Sequence, residues 1–450
     1  MKQALMTLIR IFNWNLKPRK SRILTGFRDS EINESQREIP FQYSIPLLIF
    51  VLLASTFMSI SACAGSGMVA TAEDTDSRLF FSLPGADPEG ARRLPNPQGP
   101  YQVSTSTLFW VDENRPDTLT PNPSDLRQIL VQVWYPAQRT KDVRPVAYFP
   151  ELEALMDGLR ARGEKIFRTI ADDLAVYRSV QTDVVANEPL LPTDQPYPLV
   201  IFSPGGNMSR HWYSALAREL ASQGYVVAVL SHEHSGLDFY PLGGAIPDAV
   251  FWHPDDSVSA SEKARRDGEL TTLLAGDAEF VLDRFTSPGG PGGIQGYEGN
   301  VSQDEIAIVG HSRGGSTVGR VCSEDDRIKA CVILDNIGPE PEINKGLSVP
   351  QMTIRSEWSE ARVQMLHEFL QMNRVAAWDI CIDDASHFSF SDLPLVNMEK
   401  YPTQIDSELA HEILMSYLLS FLDYWLKGRP DSLLDLKEGP FPGVHVERLR

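Results

Sequence analysis

Ser312 sits within the decapeptide Ile306–Gly315, I-A-I-V-G-H-S-R-G-G. A serine hydroxyl is a weak nucleophile until a base takes its proton and an acid orients that base. The residues around Ser312 are of the kind that present such a hydroxyl. An apolar run ending at Val309 reads as a buried strand, and Gly310-His311-Ser312-Arg313-Gly314 fits the strand-to-helix elbow G-x-S-x-G. The turn closes only if the residues two before and two after the serine are very small, and Gly310 and Gly314 meet that need. It also aims the backbone N–H of Arg313 at the place where an oxyanion would form. The helix-compatible S-T-V-G-R-V-C that follows puts the serine at a helix start, where the dipole favours negative charge.

An elbow of this kind predicts a downstream carboxylate and then a histidine. Four histidines follow Ser312. His367 and His411 fall within helix patterns, and His445 lies in a Pro/Gly-rich tail. His387, in D-D-A-S-H-F-S-F, follows an apolar strand ending near Ile382 and occupies the loop where the base belongs. For the acid, Asp335 ends the strand I-K-A-C-V-I-L-D and emerges at the same sheet edge as Ser312, while Glu357 follows the next strand. Asp335 is preferred and Glu357 is the alternative; Asp383 and Asp384 are so near His387 that they would have to share its loop. The second oxyanion donor is expected from the turn after Ser203: Pro204 has no N–H, so Gly206 is the candidate. His232, Glu233 and His234, with His253 nearby, have the residue types of a metal site, but the block follows a buried strand and loop packing is the preferred reading. No metal or cofactor is expected.

The rest of the chain supplies the elements that would hold these groups. Tyr101–Trp110 and Arg127–Tyr135 read as antiparallel partners. An insertion, about 139–192, interrupts the strand rhythm with two helical patterns, Glu151–Arg162 and Lys165–Tyr177. Strand Leu199–Ser203, amphipathic helix Trp212–Ser222 and strand Tyr225–Leu230 follow, then a loop from His232 to Asp256 and a helix from about Ser261 to Phe285. Beyond the elbow come strands Ile328–Leu334 and Gln351–Ile354, helix Glu360–Met372, strand Ala377–Ile382 and a helix from about Ile405 to Trp425. Such alternation predicts an α/β fold with a mostly parallel sheet covered on both faces and ligands at the carboxyl ends of its strands.

The 450 residues carry 41 basic and 60 acidic side chains, a net charge of −19 that argues against nucleic acid as a partner. The first 40 residues are the exception, with eight Lys or Arg against four Asp or Glu. From Ile39 to Ala72 there is no charged side chain, and Ile45–Ile60 is nearly continuously apolar, which predicts an export signal or a membrane anchor. The edge Ile60-Ser61-Ala62-Cys63 resembles a bacterial lipoprotein processing box, in which Cys63 would be lipidated; an uncleaved transmembrane helix is the alternative. Both readings place the body outside the cytoplasm, periplasmic or facing the cell surface. The expected organisation is a signal or anchor region over 1–62, a tether over 63–98 and a catalytic domain over 99–450. With Cys63 set aside, Cys322, Cys331 and Cys381 allow at most one disulfide.

Taken together, several stretches resemble the platelet-activating-factor acetylhydrolase family of α/β-hydrolases. They are V-Q-V-W-Y-P-A (Val131–Ala137), P-L-V-I-F-S (Pro198–Ser203), L-A-S-Q-G-Y-V-V-A (Leu220–Ala228), G-H-S-R-G-G (Gly310–Gly315), Leu334-Asp335, Arg355-Ser356-Glu357 and H-F-S-F-S-D (His387–Asp392). The likeness covers roughly Pro100 to Trp425. It implies an α/β-hydrolase fold and a calcium-independent esterase with Ser312 as nucleophile, Asp335 as acid and His387 as base, acting on short sn-2 acyl phospholipids. Family members usually carry His-Gly where this chain has Pro204-Gly205, and the insertion has no clear counterpart. A broad carboxylesterase or polyester hydrolase is the alternative within the same chemistry; a non-catalytic surface binding protein is the alternative outside it.

Overall fold

The computed structural model describes residues 92–120, 122–138, 145–241, 259–338, 346–430, 433–434, 436 and 439–450. The apolar segment, Cys63, most of the tether stretch and His253 lie outside the described residues. Among the described residues no helix is long and apolar enough to cross a membrane.

The strands are β1 (Arg92–Arg93), β2 (Val103–Pro116), β3 (Leu126–Pro136), β4 (Val180–Gln181), β5 (Val185–Ala186), β6 (Tyr197–Ser203), β7 (Val226–His232), β8 (Val301–His311), β9 (Ala330–Leu334), β10 (Gln351–Arg355), β11 (Ala377–Ile382) and β12 (Val444–Arg448). The helices are α1 (Leu152–Ala161), α2 (Lys165–Leu174), α3 (Ser214–Ser222), α4 (Ala260–Thr286), α5 (Arg313–Glu324), α6 (Glu360–Gln371), α7 (Leu393–Val396) and α8 (Ser407–Lys427). Ten strands make one sheet, in the order β12-β11-β10-β9-β8-β6-β7-β3-β2-β5. The run from β7 through β6 to β11 is parallel, with antiparallel β3 and β2 on one side and antiparallel β12 on the other.

The central strands read as apolar runs because both of their faces are covered. Side chains alternate between two cores. Val200, Phe202, Val227, Val229, Val309 and Val332 face a layer formed by α3, α8 and the insertion. Leu199, Ile201, Ala228, Leu230, Ile308 and Ile333 face α4, α5 and α6. This is the mostly parallel, two-sided α/β sheet expected of the chain. Because β6, β8 and β9 run parallel in register, Ser203 lies opposite Gly310, and His311 opposite Leu334. The residues that follow these strand ends therefore gather at one rim.

Three elements differ from expectation. The stretch Trp212–Ser222 is not one amphipathic helix: a 3₁₀ turn over Arg210–Tyr213, capped by the Ser209 side chain, precedes α3, and every residue of α3 is buried. Its polar residues are covered because Arg218 meets Asp183 of the insertion, while Glu219 accepts the N–H of Gln98 at 2.8 Å. The Pro/Gly-rich tail ends in β12, a short polar edge strand whose pattern V-H-V-E-R is too brief to announce itself. At the end of the tether stretch, Arg92–Arg93 pair with β4 and Leu94 is buried in the core. Cys322, Cys331 and Cys381 are buried free thiols.

The insertion belongs to the core. Leu155, Met156 and Leu159 of α1 are buried with α3 residues Leu216 and Leu220. Met156→Ala should therefore lower global stability by about 2–5 kcal/mol, read from the midpoint of urea unfolding. An unchanged midpoint would mean that the insertion is a loosely attached cap.

Candidate active site

Ser312 occupies the junction of β8 and α5 with φ +53° and ψ −120°, a conformation a non-glycine residue adopts only under constraint. Two hydrogen bonds hold it there: its N–H donates to the Leu334 carbonyl at 2.9 Å, and its carbonyl accepts from Gly315 at 2.8 Å. The flanking glycines are required by contact. A Cβ on Gly310 would collide with the Gly314 carbonyl, and one on Gly314 with the carbonyls of Ser203 and Pro204. The elbow is a place where bare backbone crosses bare backbone.

His387 reaches this point from a short 3₁₀ turn after β11. Its Nε2 lies 2.9 Å from Ser312 Oγ and its Nδ1 2.5 Å from Asp335 Oδ2. Asp335 follows β9, has φ +50° and is 2% exposed. Its other oxygen, Oδ1, accepts the Ser356 N–H at 2.8 Å, the Ser356 hydroxyl at 2.8 Å and the Trp358 indole N–H at 2.9 Å. Burial alone would raise its pKa; the hydrogen bonds from His387 and Ser356 and the charge on His387 outweigh it and hold the carboxyl well below the ordinary carboxylate range. Glu357 is exposed and, among the described residues, accepts only the Asp384 N–H at 3.3 Å. Asp383 pairs instead with His445 at 3.0 Å. Of the carboxylates considered, Asp335 is the one brought to His387.

The turn after β6 can be read by accounting for its N–H groups. Gly205 donates to the Tyr213 hydroxyl at 2.9 Å, Asn207 to the Ser235 carbonyl at 2.6 Å and Met208 to the Gly205 carbonyl at 3.1 Å. That leaves Gly206, which has no acceptor among the described residues. Arg313, at the first position of α5, is in the same state, and its side chain lies against Gly206: a Cβ there would sit 3.4 Å from Arg313 Nε. Backbone N–H groups left without acceptors near a serine hydroxyl are of the kind that can bind an oxyanion.

His311 escaped notice in the sequence, although it is the x of the elbow pattern. It is buried, and its ring lies 4.7 Å from that of His387, centroid to centroid. The Tyr213 hydroxyl accepts from Gly205 and donates to His311 Nδ1 at 2.8 Å; His311 Nε2–H then donates to the His387 carbonyl at 2.9 Å. One chain of hydrogen bonds thus joins the Gly205-Gly206 turn to the backbone of His387. Burial, together with the charge of the neighbouring His387, pushes the His311 pKa down to about 3, so its ring stays neutral.

His232 and His234 go to separate places, with His234 at φ +62° just beyond β7. His232 completes a second Ser–His–Asp chain, with Nε2 2.8 Å from Ser203 Oγ and Nδ1 2.9 Å from Asp277 Oδ2. Asp277 also accepts from Arg127 Nε at 3.0 Å and Nη2 at 2.8 Å. Ser203 and Asp277 are 0% exposed, which bars substrate from this chain; it braces the end of β6 against α4 and β3. His234 Nε2 binds Asp117 Oδ2 at 2.8 Å, and side-chain ligand atoms of Asp117, Glu233 and His234 lie within 4.8 Å of one another. The Arg127 guanidinium stands 3.5 Å from Asp117 and 3.9 Å from Glu233, so this group already has its cation.

Two outcomes follow from these networks. Because the unfolded chain binds a proton near pH 6.5 that folded His311 refuses, stability should fall as pH drops from about 6.5 toward 3; His311→Asn should flatten that part of the profile in urea titrations at several pH values. Arg127→Ala should cost about 3–5 kcal/mol, because it takes a fully buried cation from Asp277, Asp117 and Glu233 and leaves Asp277 only the partly exposed Arg115, 3.0 Å from its Oδ1; a thermal shift near zero would contradict the bracing role.

Comparisons with known proteins place the chain in a family. The family described as platelet-activating factor acetylhydrolase, isoform II, matches residues 87–239 and 291–432. A platelet-activating factor acetylhydrolase of Cavia porcellus is 27% identical over 367 residues, covering 75% of this chain and 79% of that protein. A probable 1-alkyl-2-acetylglycerophosphocholine esterase of Arthroderma benhamiae is 24% identical over 397 residues, 78% of this chain and 92% of that protein. Among solved structures, a ferulic acid esterase from Streptomyces cinnamoneus superposes with a TM-score of 0.64 at 27% identity, covering 79% of this chain and 99% of that one. The chain belongs to the platelet-activating factor acetylhydrolase isoform II family and is an ester hydrolase of the α/β-hydrolase fold.

Proposed function

We propose that this esterase works through an acyl-enzyme on Ser312. His387 takes the hydroxyl proton as Ser312 attacks an ester carbonyl, and Asp335 orients the imidazole and stabilises its positive charge. The N–H groups of Arg313 and Gly206 hold the oxyanion, the alcohol leaves with the proton carried by His387, and the same base then activates the water that releases the acid. The observation that carries this reading is the unbroken chain Ser312 Oγ, His387 Nε2, His387 Nδ1, Asp335 Oδ2, with separations of 2.9 and 2.5 Å. No metal or cofactor enters any of these steps.

The names of the relatives favour a glycerophospholipid carrying a short sn-2 acyl group as the substrate class. The ferulic acid esterase likeness supports a second reading, a carboxylesterase of broader range. Charge-free Ile39–Ala72 and the box ending at Cys63 support export, with a lipidated Cys63 tethering the body to a membrane. Cys63→Ser should then abolish incorporation of labelled fatty acid into the protein.

Ser312→Ala should reduce kcat on p-nitrophenyl acetate by about 10³-fold or more and abolish labelling by a fluorophosphonate. Retained turnover or retained labelling would remove the proposal. Comparing short-sn-2 phospholipids with simple esters on the fragment lacking residues 1–70 separates the two substrate readings.

A further inference from the structure

Arg313 contributes its backbone to the oxyanion site proposed above, and its side chain does something that role does not require. The stem lies along Gly206, with Cβ, Cδ and Nε within 3.4–3.7 Å of the position a Gly206 Cβ would take. The guanidinium therefore stands at the edge of the two N–H groups that would grip the ester carbonyl oxygen. Among the described residues it makes one hydrogen bond, from Nη2 to Asp267 Oδ1 of α4 at 3.2 Å. The Arg313 side chain is 27% exposed and that of Asp267 47% exposed. A guanidinium offers five N–H donors arranged to take a carboxylate or phosphate in bidentate fashion, so a single bond to a half-exposed partner leaves most of its capacity unused.

Other arginines of the fold are spent differently. Arg127 and Arg355 each grip an aspartate through two nitrogens, and Arg210 is shared between Glu151 and Asp238. These pairs are buried and brace the structure. Arg313 instead is partly exposed against Gly206, one residue after Ser312, in a protein of net charge −19, where a cation at that place would not arise from the general charge balance. An exposed ion pair such as Arg313–Asp267 is worth about 0–1 kcal/mol, little enough for an incoming anion to displace.

We propose that the Arg313 guanidinium is a specificity residue that recognises an anionic group, carboxylate or phosphate, carried a few bonds from the scissile ester, with Asp267 as its resting partner. The inference rests on the role assigned to Ser312. It divides substrates by charge: esters bearing an anion on the acyl or the alcohol side are preferred over neutral esters of the same size, and Asp267 competes with them.

The test is a set of matched esters assayed on the wild type, R313M, R313K and D267N. On the acyl side, p-nitrophenyl monosuccinate is compared with p-nitrophenyl butyrate. On the alcohol side, 2-acetylglycerol 3-phosphate is compared with 2-acetylglycerol. The quantity read is the ratio of kcat/KM for the anionic ester to that for the neutral one. R313M should lower this ratio by about fivefold to tenfold on at least one side, R313K should restore part of it, and D267N should raise it by about threefold. Which side responds tells whether the anion belongs to the acyl chain or to a head group. Added salt should lower the wild-type ratio and leave that of R313M unchanged. If R313M lowers anionic and neutral turnover together, the side chain only positions the elbow and the inference fails while the esterase mechanism stands. If the wild type turns over neither neutral ester, and Ser312 takes no fluorophosphonate, the mechanism itself fails and the inference with it.

Discussion

The structure depends on a steric constraint, the crossing of two stretches of backbone at the elbow. Gly310 and Gly314 lie so close to one another and to the Ser203 and Pro204 carbonyls that neither can carry a side chain. That approach holds Ser312 at positive φ and sets α5 directly against the end of β6. It also brings the Arg313 side chain against Gly206. Ser312 and the two turns beside it are thus positioned by one contact, and a chain that could not make it would lose that arrangement at once.

Polar groups buried around that contact keep it from relaxing. On one side Asp335 holds His387 by one oxygen and is itself held by Ser356 and Trp358 through the other. Beneath, Tyr213 and His311 tie the Gly205-Gly206 turn to the carbonyl of His387. Further in, Ser203, His232, Asp277 and Arg127 repeat the serine, histidine, aspartate order where no substrate can reach. Identical residue types occur in two settings, one where the serine is partly exposed and one where it is fully buried and serves rigidity. Groups buried this deeply are costly unless paired, which binds the strand ends together as a set.

The insertion extends the same design outward. It packs α1 and α2 onto α3 and sends Glu151 to Arg210 and His211, so that the wall above the 3₁₀ turn Arg210–Tyr213 is part of the core. Tyr213, which links the turn to His311, belongs to that same 3₁₀ segment. The insertion thus bears structural load next to the turn that carries Tyr213.

Short-range patterns carried much of this into the sequence. Apolar runs, their alternation with helical periodicity and the G-x-S-x-G spacing determined the sheet, its parallel core and the elbow, because strand burial and the steric demand for glycine are local properties. They also pointed to Ser312, His387 and Asp335, since parallel strands must end at one rim. What only the tertiary structure decided was pairing across distance. It separated Asp335 from Glu357, sent His232 to Ser203 rather than to His234, buried all of α3 under a distant insertion and gave His311 its bridging role. None of those outcomes follows from spacing, because each depends on which side chains the folded sheet brings within hydrogen-bond reach from segments far apart in the chain.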